Sequence, residues 1–128
     1  MSPSPGKLQG LRILVAEDEA LILMEIEGML QDIGCEIVGP VSTLDAALVA
    51  IRQNEMDGAL LDMSLHGERI TPAAEELVAR GVRFILCTGY GRNPDDEAAI
   101  MDAPRLTKPF TLDGLRAAMD ETFAGART

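Results

Sequence analysis

Residues 11–18 read LRILVAED, a short apolar run that stops on two acids, Glu17 and Asp18. Two later stretches repeat the design: GALL at 58–61 runs into Asp62, and RFILC at 83–87 runs into Thr88 and Gly89. A fourth, PRLT at 104–107, is followed by Lys108-Pro109. Runs of this length and apolarity suit buried strands of a parallel sheet, whose carboxyl ends share one rim. Three acids, a hydroxyl and an ammonium group on that rim describe a site for a divalent cation and a phosphate.

Helix signals fill the gaps. Ile22, Ile26, Met29, Leu30 and Ile33 form one apolar face that ends at Gly34. CEIVGPV reads as a second strand, and Ser42 with Asp45 three residues on resembles a capping box for a helix carrying Leu44, Ala47, Leu48 and Ile51. Thr71-Pro72 places a capping hydroxyl before a proline at the first helical position, and that helix stops at Gly81. Asn93-Pro94 opens a thinly apolar helix over DDEAAIM, and Thr111 caps a last helix with Leu112, Leu115, Met119 and Phe123 facing inward. Five strands alternating with five helices predict an α/β protein: a doubly wound (βα)5 parallel sheet of flavodoxin-like strand order 2-1-3-4-5. Crossovers are expected to be right-handed.

The 128 residues, 47% of them hydrophobic, suffice for one core and leave no room for a second domain. Residues 1–10 are expected as a flexible tail, 11–124 as the domain and 125–128 as a second tail. Eleven basic against twenty-one acidic residues give a net charge of -10, the wrong sign for gripping a nucleic-acid backbone. The opening MSPSPGKLQG lacks the apolar core of a signal peptide, and no apolar run is long enough to span a bilayer, so a cytoplasmic protein without membrane contact is expected. Cys35 and Cys87 lie in apolar settings without metal-ligand spacing and read as reduced, buried thiols. The methionines read as core, and His66, the only histidine, as a solvated loop residue.

With the first and third strands adjacent, Asp18 and Asp62 face one crevice. Each like-charged pair at about 4 Å costs about 4 kcal/mol at an effective dielectric near 20, which a dication reverses. An oxygen-only cluster with open positions suits Mg²⁺. Glu17 and Asp18 also fit a plain helix N-terminus, Asp62 a solvated strand end, and Thr88 an ordinary strand-end threonine. A carboxylate such as Asp62 can act as a nucleophile toward phosphorus, the Thr88 hydroxyl can donate to a phosphoryl oxygen, and Lys108 supplies a point charge.

VAED, LLDMSL, CTG and TKPF, in this order and spacing, resemble the receiver domain of a two-component response regulator over residues 11–124. The resemblance implies that Asp62 is the phosphoacceptor, that Asp18, Asp62 and the Ser64 backbone carbonyl bind Mg²⁺, and that Glu17 assists through water. It implies that Thr88 and Lys108 contact the phosphoryl group and that Lys108-Pro109 is cis. The implied donor is a phosphohistidine on a sensor histidine kinase or a histidine phosphotransfer protein. The output would be a downstream protein partner, and receivers also form homodimers through the face running from the fourth to the fifth helix. The loop after the fourth strand and its helix, near Pro94, is expected to be the responding element. Arg105 stands where many receivers carry the aromatic ring of their switch. RFILCTGYG also resembles an alphaproteobacterial subgroup of stand-alone receivers with a Thr-Gly-Tyr signature, in which Tyr90 carries part of the signal; the other reading of Tyr90 is an exposed loop aromatic.

The function expected is a single-domain response regulator that takes phosphate onto Asp62 and relays it or changes its protein contacts. The alternative is a receiver-fold binding module that is never phosphorylated. No enzymatic action on an external substrate is expected beyond self-catalysed transfer to Asp62 and its slow hydrolysis. Haloacid-dehalogenase-like phosphohydrolases place a second aspartate two residues after the nucleophile, where this chain has Ser64.

Overall fold

In a computed structural model, residues 8–89 and 97–123 are described. Strand β1 (Arg12–Ala16) leads into helix α1 (Ala20–Ile33), β2 (Glu36–Val41) into α2 (Leu44–Gln53), and β3 (Gly58–Asp62) into a small hairpin, β4 (Ser64–Leu65) and β5 (Glu68–Arg69). Helix α3 (Thr71–Ala79), β6 (Arg83–Thr88), the four-residue α4 (Ala98–Met101), β7 (Arg105–Thr107) and α5 (Leu112–Phe123) complete the order. The main sheet is parallel throughout in the order β2-β1-β3-β6-β7, which is 2-1-3-4-5 once the hairpin is set aside.

Side-chain alternation divides the core in two. Leu14, Ala16, Ala59, Leu61, Phe84 and Leu86 meet α2, α3 and α4 on one face. Ile13, Val15, Leu60, Ile85 and Cys87 meet α1 and α5 on the other. Ile26 and Leu30 bury the apolar stripe of α1, and Gly34 ends that helix with φ of 98°, a left-handed conformation that costs glycine little. Pro40 is accommodated because β2 is an edge strand, and its peptide bond with Gly39 is cis.

Several local expectations are corrected. Thr43, not Ser42, caps α2 by accepting the Ala46 N–H at 3.1 Å. The two hydroxyls are adjacent, and it is Thr43 that takes the extended backbone of the cap. Thr71 is the first residue of α3, with Ile70 at the cap position, so its hydroxyl does not cap. Met24 is exposed because it sits two residues beyond Ile22, off the buried stripe. Leu8, expected within a tail, is 3% exposed and joins the α1–α5 side of the core, while the Gly10 N–H donates to the Gly34 carbonyl. The expectations for residues 1–7, for Tyr90, for the helix start at Asn93-Pro94 and for 124–128 fall outside the described residues. No described helix is long and apolar enough to cross a membrane.

Candidate phosphoacceptor site

Strand register carries the predicted residues to one rim. Ala16 pairs with Leu61, Asp62 with Cys87 and Thr88 with Thr107, so Glu17, Asp18, Asp62, Thr88 and Lys108 all lie at or just past the carboxyl ends of β1, β3, β6 and β7. One carboxylate oxygen from each of Glu17, Asp18 and Asp62 lies within 4.8 Å of the others. Glu17 is buried at 1% exposure, whereas Asp18 and Asp62 are half-buried.

Lys108 is the counter-charge. Its Nζ donates to Glu17 Oε1 at 2.8 Å and lies 3.4 Å from Asp62 Oδ2. The Lys108 N–H donates to the Thr88 carbonyl at 2.8 Å, which ties the lysine to the end of β6, and the Lys108-Pro109 bond is cis. Glu17 Oε2 also accepts the Glu19 N–H at 3.2 Å, and Asp18 Oδ2 accepts the His66 N–H at 2.8 Å.

These contacts separate the acids electrostatically. Burial pushes Asp62 up to about 7, the charge and hydrogen bond of Glu17 add to it, and Lys108 opposes them. Asp18 is held below the ordinary aspartate value, chiefly by the His66 N–H and against the effect of its partial burial. For Lys108, burial works to lower the value, but the hydrogen bond to Glu17 and the charges of Asp62 and Glu17 outweigh it and the net shift is upward. Three carboxylates facing one ammonium, all donors oxygen, fit a hard divalent cation that keeps some of its water.

The other expected positions are less central. Ser64 is half-buried at the start of β4, two residues beyond Asp62. Thr88 is 2% exposed at the end of β6. Pro109 is exposed and, with Ile22, Glu25, Ile26, Lys108 and Phe110, borders a cavity of about 270 Å³ between α1 and the β7–α5 turn. Arg105, expected on a switch or partner face, is half-buried, with Nη2 donating to the Ile100 carbonyl at 3.1 Å and Nη1 toward Met63 Sδ at 3.5 Å. Sequence reasoning missed the His66 N–H as a partner of Asp18, because a backbone donor leaves no residue-type signature. The two-residue His66-Gly67 loop was the available hint of a hairpin.

A family model for the response regulator receiver domain matches residues 13–120, and the chain belongs to that family. Among curated proteins it is 30% identical over 113 residues to the transcriptional regulatory protein PdtaR of Mycobacterium tuberculosis, an alignment covering 85% of this chain and 55% of that protein. The chain thus spans about half the length of the curated relatives it matches. Among solved structures, SdrG from Sphingomonas melonis Fr1 superposes with a TM-score of 0.74 at 39% identity, covering 89% of this chain and 95% of SdrG. The receiver domain of the sensor histidine kinase PA1611 from Pseudomonas aeruginosa PAO1, solved with a magnesium ion coordinated in its active site cleft, superposes with a TM-score of 0.78 at 25% identity over 91% of this chain and 98% of its own.

Proposed function

We propose that this receiver accepts a phosphoryl group on Asp62 from a phosphohistidine of a sensor kinase or phosphotransfer protein. The observation that carries the reading is the placement of Asp62 within 4.8 Å of the Glu17 and Asp18 oxygens and 3.4 Å from the Lys108 ammonium. An Asp62 carboxylate oxygen forms the new bond to phosphorus while the phosphorus–nitrogen bond to the donor imidazole breaks and its electron pair returns to the ring. Lys108 neutralises charge on the transferred group and the Thr88 hydroxyl donates to one of its oxygens. Asp18, Asp62 and the Ser64 carbonyl would hold Mg²⁺, with Glu17 assisting through water, and the ion would supply charge neutralisation for the transfer. The magnesium in the PA1611 receiver domain and the acid cluster here support that assignment.

The chain acts on its own aspartate and on no external substrate; Ser64 offers no carboxylate to serve as acid or base two residues after Asp62. Leu21 and Met24 on α1 are 76% and 65% exposed on the first helix after the acid rim, an apolar surface suited to an incoming protein. Output passes to a downstream protein or onward as phosphate, in the cytoplasm, and the sequence Thr88-Gly89-Tyr90 supports placing the chain with the Thr-Gly-Tyr receivers.

Intact mass after incubation with acetyl phosphate and Mg²⁺ tests the proposal. A phosphoryl adduct that needs both the metal and Asp62, and is absent from Asp62→Asn, is expected. No adduct, together with no binding of a beryllofluoride mimic, would replace this reading with an unphosphorylated binding module.

A further inference from the structure

The β4–β5 hairpin touches the acid site at its turn and α4 at its far end. Its two-residue loop, His66-Gly67, has φ of 49° and 83°, the paired positive values that suit tight hairpins. The Ile70 N–H closes the base on the Met63 carbonyl at 2.9 Å, one residue from Asp62. At the turn the His66 N–H holds Asp18 Oδ2 at 2.8 Å. At the end of the second strand Arg69 Nη2 donates to Glu97 Oε2 at 2.7 Å. Glu97 is the cap residue of α4, and its carbonyl accepts the N–H groups of both Ile100 and Met101 at 3.0 Å.

We propose that residues 64–69 form a strap that couples the Asp18 carboxylate to the first turn of α4 through the Arg69–Glu97 pair. The hairpin is too short to absorb movement within itself, so a reorientation of Asp18 that releases the His66 N–H is passed to Arg69. Side chains at the far contact are 42% and 43% exposed, so water competes for it and the pair can be made and broken at small cost, as a switch requires. Arg105 holds the same turn from the core side through the Ile100 carbonyl and reaches Met63, beside Asp62. The turn is therefore fastened toward both acids by arginines. As a signalling route the strap rests on the phosphoacceptor reading above, but the coupling is a property of the unmodified chain and is tested there.

Amide exchange and amide chemical shifts of His66, Ile100 and Met101 would be compared in metal-free wild type, Asp18→Ala, Arg69→Ala and the double variant. Asp18→Ala is expected to speed exchange at Ile100 and Met101 by about two- to fivefold, and Arg69→Ala to do the same at His66, because coupling is reciprocal. In the Arg69→Ala background the Asp18 substitution should leave Ile100 and Met101 unmoved. The exchanged pair Arg69→Glu with Glu97→Arg should restore the wild-type response, and Asp18→Asn, which keeps an acceptor oxygen for His66, should resemble wild type. An unchanged Asp18→Ala effect at Ile100 and Met101 without Arg69, or an exchanged pair that restores nothing, overturns the strap. Adduct formation on Asp62 is scored separately, so the two readings fail independently.

Discussion

Glu17, almost wholly buried at the end of β1, holds the Lys108 ammonium at 2.8 Å from across the rim beyond β7. Two strands that do not touch in the sheet are joined by this pair directly above β3 and β6. Removing one partner of a buried pair leaves an uncompensated charge, and because Lys108 is itself partly exposed the cost falls toward the lower end, about 3 kcal/mol. Lys108→Met should therefore lower the urea midpoint in metal-free buffer, and Mg²⁺ should recover part of the loss by taking over the counter-charge. Equal stability of variant and wild type without metal would mean that Glu17 does not depend on the lysine.

Burial pushes the Cys87 thiol up to about 12 and the Cys35 thiol up to about 11. For Cys87, Lys108 pulls the other way and Glu17 and Asp62 add to the rise; for Cys35, Asp57 adds to it. The thiolate is the reactive form, so a disulfide reagent near pH 8 should modify neither cysteine in the folded chain and both after denaturation. Native labelling of Cys87 at the unfolded rate would show that the end of β6 opens readily, since that residue lies one position before Thr88 in the floor of the site.

Much of the architecture was legible because strands and helices announce themselves differently. ILVA at 13–16, GALL at 58–61 and FILC at 84–87 are buried on both faces and read as unbroken apolar runs, and the stripe of α1 together with Gly34 marks both its register and its end. Thr111 was a readable cap, confirmed by the Gly114 N–H donating to its hydroxyl at 3.0 Å. Ser42 and Thr43 were not separable, since both are good caps and only backbone conformation decides between them. The acid cluster could be inferred from side-chain type, whereas the contacts organising it could not. The His66 N–H belongs to the backbone, and the Arg69–Glu97 pair joins residues 28 positions apart, one at the end of β5 and the other at the cap of α4. Arg105 was visible as a departure from an aromatic position, but its partners, the Ile100 carbonyl in α4 and the Met63 sulfur just past β3, emerge only from the tertiary fold.

Gly58 marks a close approach that the sequence does not reveal. A Cβ built there would lie 2.6 Å from Cε1 and 2.8 Å from Cδ1 of Phe123, the fully buried ring at the end of α5. Gly58→Ala forces either the ring or the strand to shift, and overpacking of this kind costs about 1–3 kcal/mol. Phe123→Leu opens space at the same point, so the double variant should lose less stability than the sum of the two single losses, as expected for residues in contact. Strict additivity in thermal or urea unfolding would show that the ring moves aside without cost.

The two aspartates should leave opposite marks on the pH dependence of stability. Asp62, raised by burial and by Glu17 to about 7 from a starting value of 3.8, holds a proton in the native chain that the unfolded chain has already released. Stability from this source is complete below about pH 4, falls as pH rises through about 7 and then levels, for a total of about 1–3 kcal/mol. Asp18 is lowered, first by the His66 N–H, so its contribution is present above the ordinary aspartate value and is lost as the pH falls below it. In metal-free buffer the wild type should be less stable at about pH 8 than at about pH 5. Asp62→Asn should be nearly level across that window and more stable than wild type at its upper end. Mg²⁺ should narrow the difference, because a dication favours the charged carboxylate that burial penalises. If the decline between these two conditions persists in Asp62→Asn, it arises from a group other than the acid at the end of β3.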